Sequence, residues 1–117
     1  MTAELVRKLQ LKEQRLRVVN APSGFSAGAL EAAPDDEDAA VLVFARNSAE
    51  LDEHAAVAIE AARQDRLAWI AYPKAGQLGT DLNRDRLWER LKDQGIRGVR
   101  QVSIDAVWSA MRFRPEA

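Results

Sequence analysis

Few residues in this chain are of a type and spacing that could do chemistry. Gly24-Phe25-Ser26-Ala27-Gly28 spells G-x-S-x-G, the pattern that presents a strained, nucleophilic serine at a strand-to-helix turn, and acids followed by His54 lie downstream of it. Such a turn must join strand to helix directly, whereas Pro22 and Ser23 intervene here and the whole would-be triad falls within a short stretch of chain. A start of small residues is the simpler account of that segment. His54 is the only histidine and there is no cysteine, so as a general base or metal ligand it has no second histidine or cysteine to work with, and it reads as a surface or half-buried helix residue. The acidic run Asp35-Asp36-Glu37-Asp38 lacks the spaced ligands and the glycine of a calcium loop and reads as a solvated loop. No catalytic residue, metal or cofactor is expected on these grounds.

The residues that remain are polar groups at the ends of apolar segments. Asn20 and Ser23 follow the first such segment, Arg46 and Asn47 the second, Lys74 the third, and Thr80 and Asp81 lie in the loop beyond. If the segments are parallel strands, their C-terminal ends converge on one rim. Arg46, Lys74 and free helix amides could then bind a carboxylate or phosphate, with Asn20, Ser23, Thr80 and Asp81 around it. The bland account is that rims collect polar residues whether or not they bind anything.

The elements that would position this rim follow from periodicity. Ala3 to Gln10 carries Leu5 and Leu9 four apart with Val6 beside them, one stripe of a short amphipathic helix. Leu16-Arg17-Val18-Val19 is a short strand that ends in the turn residues Asn20 to Gly24. Phe25 to Ala33 is expected to form a short helix stopped by Pro34. Ala39 to Ala45 and Leu67 to Tyr72 are apolar without alternation, as strands covered on both faces are. Between them, Asn47 or Ser48 caps a helix reaching about Arg66, with Glu50 placed as a capping-box acid and Leu51, Ala55, Ile59 and Ala62 on one face. Asn83 caps a further helix bearing Leu87, Trp88 and Leu91, and Gly95 sits where a left-handed C-terminal residue belongs. Val99 to Ile104 reads as a strand. Ser109, Met111 and Phe113 alternate with polar or small neighbours as in a strand wet on one face, and Asp105 to Val107 connect the two as an antiparallel hairpin.

Alternating strands and helices with buried central strands predict an α/β three-layer sandwich over residues 1–117, with about five strands, mainly parallel, and a C-terminal antiparallel hairpin. The 117 residues carry 17 basic and 18 acidic groups and are 47% hydrophobic, which excludes global disorder and gives no sequence-wide basis for a nucleic-acid partner. No apolar run reaches a membrane span and no signal-peptide core opens the chain, so a soluble, cytoplasmic protein is expected. Trp69 and at least one of Trp88 and Trp108 are expected to be structural.

Leu9-x-Leu11-Lys12 running into Leu16 to Val19 resembles the helix-turn-strand opening of class I (Rossmann-like) methyltransferases. The strands at Ala40 to Phe44 and Leu67 to Tyr72 are similar to that fold's fourth and fifth, and Arg100 to Arg114 to its closing hairpin. Val19-Asn20-Ala21-Pro22-Ser23-Gly24-Phe25, Tyr72-Pro73-Lys74, Thr80-Asp81-Leu82 and Trp108-Ser109 resemble a family of small bacterial proteins known only as a domain of unknown function. The resemblance implies a methyltransferase-like sheet lacking its second and third strands, with order first, second, third, fifth, fourth in this chain. It implies S-adenosylmethionine chemistry only where a Gly-rich turn follows strand one and an acid follows strand two. Asn20-Ala21-Pro22-Ser23-Gly24 lacks those glycines, and the acidic run Asp35 to Asp38 has no preceding apolar strand to present it. Three expectations follow: a non-enzymatic interaction or scaffold domain, with a second copy or protein partner on the open edge of strand one; a small-anion or nucleotide-fragment binder at the rim; and a degenerate methyltransferase-like enzyme.

Overall fold

The computed structural model describes residues 1–116. Thr2 accepts the Leu5 N–H at 3.1 Å and starts helix α1 (Ala3–Lys8), which leads into strand β1 (Leu16–Val19). Strand β2 (Ala40–Phe44) is followed by helices α2 (Ser48–His54) and α3 (Ala56–Arg63), which meet at Ala55. Strand β3 (Ala68–Pro73), helix α4 (Arg84–Leu91) and strands β4 (Ile96–Ser103) and β5 (Trp108–Pro115) complete the domain. Asn47 and Asn83 cap α2 and α4 by accepting the N–H groups of Glu50 and Arg86. Gly95 follows α4 with φ 79°, the left-handed conformation anticipated for it.

The sheet order is β1-β2-β3-β5-β4, the order that the resemblance implies. β1, β2 and β3 pair in parallel, β5 pairs antiparallel with both β3 and β4, and so four strands run one way and one the other. β2 and β3 are buried along their whole lengths. Val41, Val43, Ala68, Ile70 and Tyr72 face α2, α3 and α4, whose Ala55, Ala58, Ala61, Ala62, Leu87 and Leu91 cover them. Ala40, Leu42, Phe44, Trp69 and Ala71 face the other way, against Leu5, Leu9 and Leu11 of the α1 segment and partly buried Phe25 and Leu30. These are the three layers. Alanines on α3 let that helix lie close on the sheet, since only small side chains intervene.

Four local expectations need correction. Phe25 to Ala33 is not an α-helix: only a 3₁₀ turn forms, at Gly28–Leu30, because Gly28 takes φ 56° and its N–H bonds to Ser26 Oγ instead of continuing a helix. β4 starts at Ile96, ahead of the expected Val99, because a bulge between Gly98 and Arg100 interrupts the alternation that would have shown it. β5 is not wet along one face, since Trp108, Ser109, Ala110 and Met111 are all buried. Met111 packs into the core under α2, α3 and α4 while Trp108 and Ala110 pack into the core on the α1 side, so both faces are covered there. β1 is an edge strand as expected, but its start is not open. The Ala32 N–H bonds to the Leu16 carbonyl at 2.9 Å, and Arg17 Nη2 binds the carbonyls of Pro34 and Asp36.

The wholly buried Trp69 ties two layers together, its indole N–H donating to the Leu9 carbonyl at 3.0 Å. Replacing Trp69 with Phe keeps an aromatic ring but leaves that carbonyl without its donor, at a cost of about 1–3 kcal/mol. Urea titration of W69F should therefore show a lowered midpoint at unchanged m-value, and W69A should lose about 3–5 kcal/mol.

Candidate functional site

The three parallel strands place their C-terminal ends side by side, and a cleft of about 550 Å³ opens above them. Asn20, Ala21, Pro22 and Ser23 after β1, Arg46 after β2, Leu78, and Val107 and Trp108 at the start of β5 line it. Trp108 is held from behind by the core: Phe44 packs edge-on against it with centroids 5.0 Å apart, and Phe25 lies 4.9 Å from Phe44.

Asn20, Ser23 and Arg46 are thus brought together as expected. Lys74 is drawn aside: its Nζ donates to Ser103 Oγ at 2.7 Å and its backbone N–H to the Val107 carbonyl, which fastens β3 to the β4–β5 connection. Thr80 Oγ1 accepts the Leu82 N–H. Asp81 reaches across to α2, where its carboxylate accepts the Ser48 N–H at 2.8 Å and the Ser48 hydroxyl at 2.6 Å. Those two bonds hold the Asp81 carboxyl below its ordinary pKa. The helix amide that an incoming anion could use is therefore already bonded to a carboxylate of the chain itself.

Glu50 does the same for the rest of the rim. Its side chain is only 16% exposed, and Oε2 accepts Arg46 Nε at 2.8 Å. Oε1 accepts Asn20 Nδ2 at 2.7 Å and the Arg46 N–H at 3.3 Å. Asn20 takes a left-handed φ of 58°, which lets Nδ2 also donate to the Phe44 carbonyl at 2.9 Å. Burial works to raise the Glu50 pKa, but the hydrogen bonds from Asn20 and Arg46 outweigh it, and the carboxyl sits below its ordinary value. The sequence identifies Glu50 only as a capping acid. Its central position comes from the turn into α2, which sets Arg46 ahead of the Asn47 cap and beside the Glu50 carboxylate, and from Asn20, which only the fold brings near. Leu78, Val107 and Trp108 are lining residues that no spacing signal marks.

Taken together, Arg46 and Lys74 are offset by Glu50 and Asp81, so the rim carries no net charge of its own. Among the described residues the two terminal nitrogens of Arg46, whose side chain is 61% exposed, and the Ser23 hydroxyl have no hydrogen-bond partner. Among the described residues no group of three or more His, Cys, Asp and Glu could hold a metal ion. His54 lies 3.6 Å from Glu53 on α2, and Ser26 Oγ is used within its own turn. Among the described residues, no helix is long and apolar enough to cross a membrane. No protein-family model, curated protein or solved structure matches this chain.

The lowered pKa gives Glu50 a signed pH dependence. Its contribution is complete above the unfolded-state value of about 4.3 and is lost as pH falls through the lower folded value. The stability gap between the native chain and E50Q should therefore be flat, at about 1 kcal/mol, from neutral pH down to about pH 5, and should close below that in urea titrations run at several pH values.

Proposed function

We propose that this chain is a non-enzymatic interaction domain whose partner is a second copy of itself. The internal pairing of the rim supports this, since Glu50 and Asp81 hold the groups that would otherwise meet a substrate. The contact surface is the face where α4 lies beside β4. Trp88 stands 46% exposed there, and a groove of about 420 Å³ runs between Trp88, Arg84, Asp85 and Glu89 on one side and Gly98 and Met111 on the other. Gly98 keeps the groove open, because a β-carbon there would lie 2.5 Å from Met111 Sδ. A large exposed tryptophan next to an apolar floor is the composition of an interface anchor.

The charges around the groove favour a two-fold contact. Arg84 carries the opposite sign to Asp85 and Glu89, and the Arg84–Asp85 pair is loose and exposed, at 3.4 Å. A symmetric contact sets each patch against its own copy, so a rim with both signs is complementary to itself. The edge of β1 is less suited, because the Leu16 carbonyl and Arg17 are engaged by residues 32–36. β4 is blunted as a pairing edge by its bulge and by Arg97 and Arg100, so packing through side chains on the α4 side is the expected mode.

A second reading, that the rim cleft binds a small anion or nucleotide fragment, rests on the free terminal nitrogens of Arg46 beside Ser23. It predicts that R46A loses a ligand-induced rise in Tm.

Multi-angle light scattering across a wide concentration range tests the self-association. The native chain should move toward twice its monomer mass as concentration rises, while W88A should stay monomeric with stability changed by no more than about 0.5 kcal/mol. A native chain that remains monomeric throughout, or a dimer that persists in W88A, would sink the proposal.

A further inference from the structure

The opposite end of the sheet carries a second cleft, of about 360 Å³, lined by Gln10, Lys12, Gln14, Asp65, Arg66, Leu67 and Arg112. It lies between the turn after α1, the turn after α3 and the outer half of β5. We infer that this cleft is a binding site for a compact phosphate-bearing small molecule, held by Lys12, Arg66 and Arg112.

The backbone around the cleft is unusual in a consistent way. Five non-glycine residues in the described chain have positive φ, and three of them, Gln10 at 59°, Lys12 at 55° and Asp65 at 56°, line this cleft. Two of the three end helices. After α1, the Leu11 N–H bonds to the Val6 carbonyl and the Gln10 N–H to Arg7; after α3, the Arg66 N–H bonds to Ala61 and the Asp65 N–H to Ala62. This paired pattern normally places glycine where Gln10 and Asp65 stand. Here each strained position carries a side chain that grips an arginine of β5. Gln10 Oε1 accepts Arg112 Nη1 at 2.8 Å, and the Asp65 carboxylate accepts Arg114 Nε and Nη2 at 3.1 and 3.2 Å. Strain held at a cleft and directed at orienting cations is the observation from which function is inferred.

The cations exceed what the chain supplies to balance them. Arg112 faces Arg100 and Arg114 faces Arg97 across the β4–β5 ladder, because the bulge turns Arg97 and Arg100 to the same side. Like charges directly opposite each other oppose the pairing. Burial, together with Arg114 and Arg100, pushes the Arg112 pKa down, and Arg112 Nε is buried with no partner among the described residues. Arg66 spends Nε on Gln64 and Nη1 on the Ala39 carbonyl, and among the described residues Lys12 has no ion pair or side-chain hydrogen bond. The two helix C-termini that end here each add at most about half a negative charge. Three cations, Lys12, Arg66 and Arg112, line the cleft against one carboxylate, Asp65, which is already paired with Arg114, so the lining is net positive, as an anionic phosphate requires. A guanidinium whose Nη1 is fixed by Gln10 can present Nη2 to a phosphate oxygen, and the volume leaves room for a small organic group on the phosphate.

The test uses inorganic phosphate, pyrophosphate and a short single-stranded oligonucleotide as probes, with amide NMR shifts and thermal unfolding as readouts. Phosphate and pyrophosphate should raise Tm and shift the amides of residues 10–14 and 65–67. K12G relieves a left-handed residue, so it should raise the unliganded Tm while weakening phosphate binding about tenfold. R66Q should lose binding by a similar factor. Absence of any Tm or amide change with both phosphates would overturn the inference, as would a change reproduced by sodium chloride at matched ionic strength. Full binding retained in K12G and R66Q would do the same. An oligonucleotide that outcompetes pyrophosphate and shifts Arg97 and Arg100 instead would replace it with a nucleic-acid surface.

Discussion

The side chains of β2 and β3 alternate between two faces that are both apolar, so water must be excluded from both sides of the sheet's centre. That constraint makes α1 indispensable. Without Leu5, Leu9 and Leu11, the face bearing Leu42, Phe44 and Trp69 would be wet, and α2, α3 and α4 cannot serve it because they already cover Val41, Val43 and Ile70. The bond from Trp69 to the Leu9 carbonyl gives the apolar contact a direction. It fixes where α1 ends, and through that the placement of Gln10 and Lys12 at the base of the sheet.

The two ends of the sheet treat charge differently, and the difference has a topological origin. At the C-terminal ends of the parallel strands the chain turns into helices, whose first amides and capping residues attract carboxylates. Glu50 and Asp81 are such carboxylates, and they satisfy Arg46, Asn20 and Ser48 in the process. At the other end helices finish and strands begin, and the partial negative charges of helix termini draw cations. There the reversed direction of β5 adds Arg112 and Arg114 to that same base. A parallel strand in its place would have sent these residues to the opposite rim.

Much of the fold was legible because burial and local chemistry agree. Apolar runs without alternation marked β2 and β3, Asn47 and Asn83 marked helix starts, and Gly95 marked a helix end. What was not legible shares a cause. Gly98 with its bulge disguised the start of β4, and the burial of β5 on both faces depends on the two layers packed against it rather than on its own composition. Phe25 to Ala33 has helix-forming residues, yet Gly28 and the Ser26 hydroxyl divert it. At the rim, Asn20, Ser23 and Arg46 were legible as strand-end residues, but Lys74 was drawn to Ser103 by a contact 29 positions away.

By itself the sequence determined which segments are buried on two faces, where the helices begin, and that no cysteine or second histidine is present to build a metal or nucleophilic centre. Those properties depend on neighbours within one or two helical turns. Only the tertiary structure decided which charges meet. Glu50 with Asn20, Asp81 with Ser48, Gln10 with Arg112 and Asp65 with Arg114 are separated by 30, 33, 102 and 49 positions. Coulomb and hydrogen-bond energies fall steeply with distance in space and take no account of distance along the chain, so neutralisation at one end of the sheet and surplus charge at the other exist only once the strands are in order.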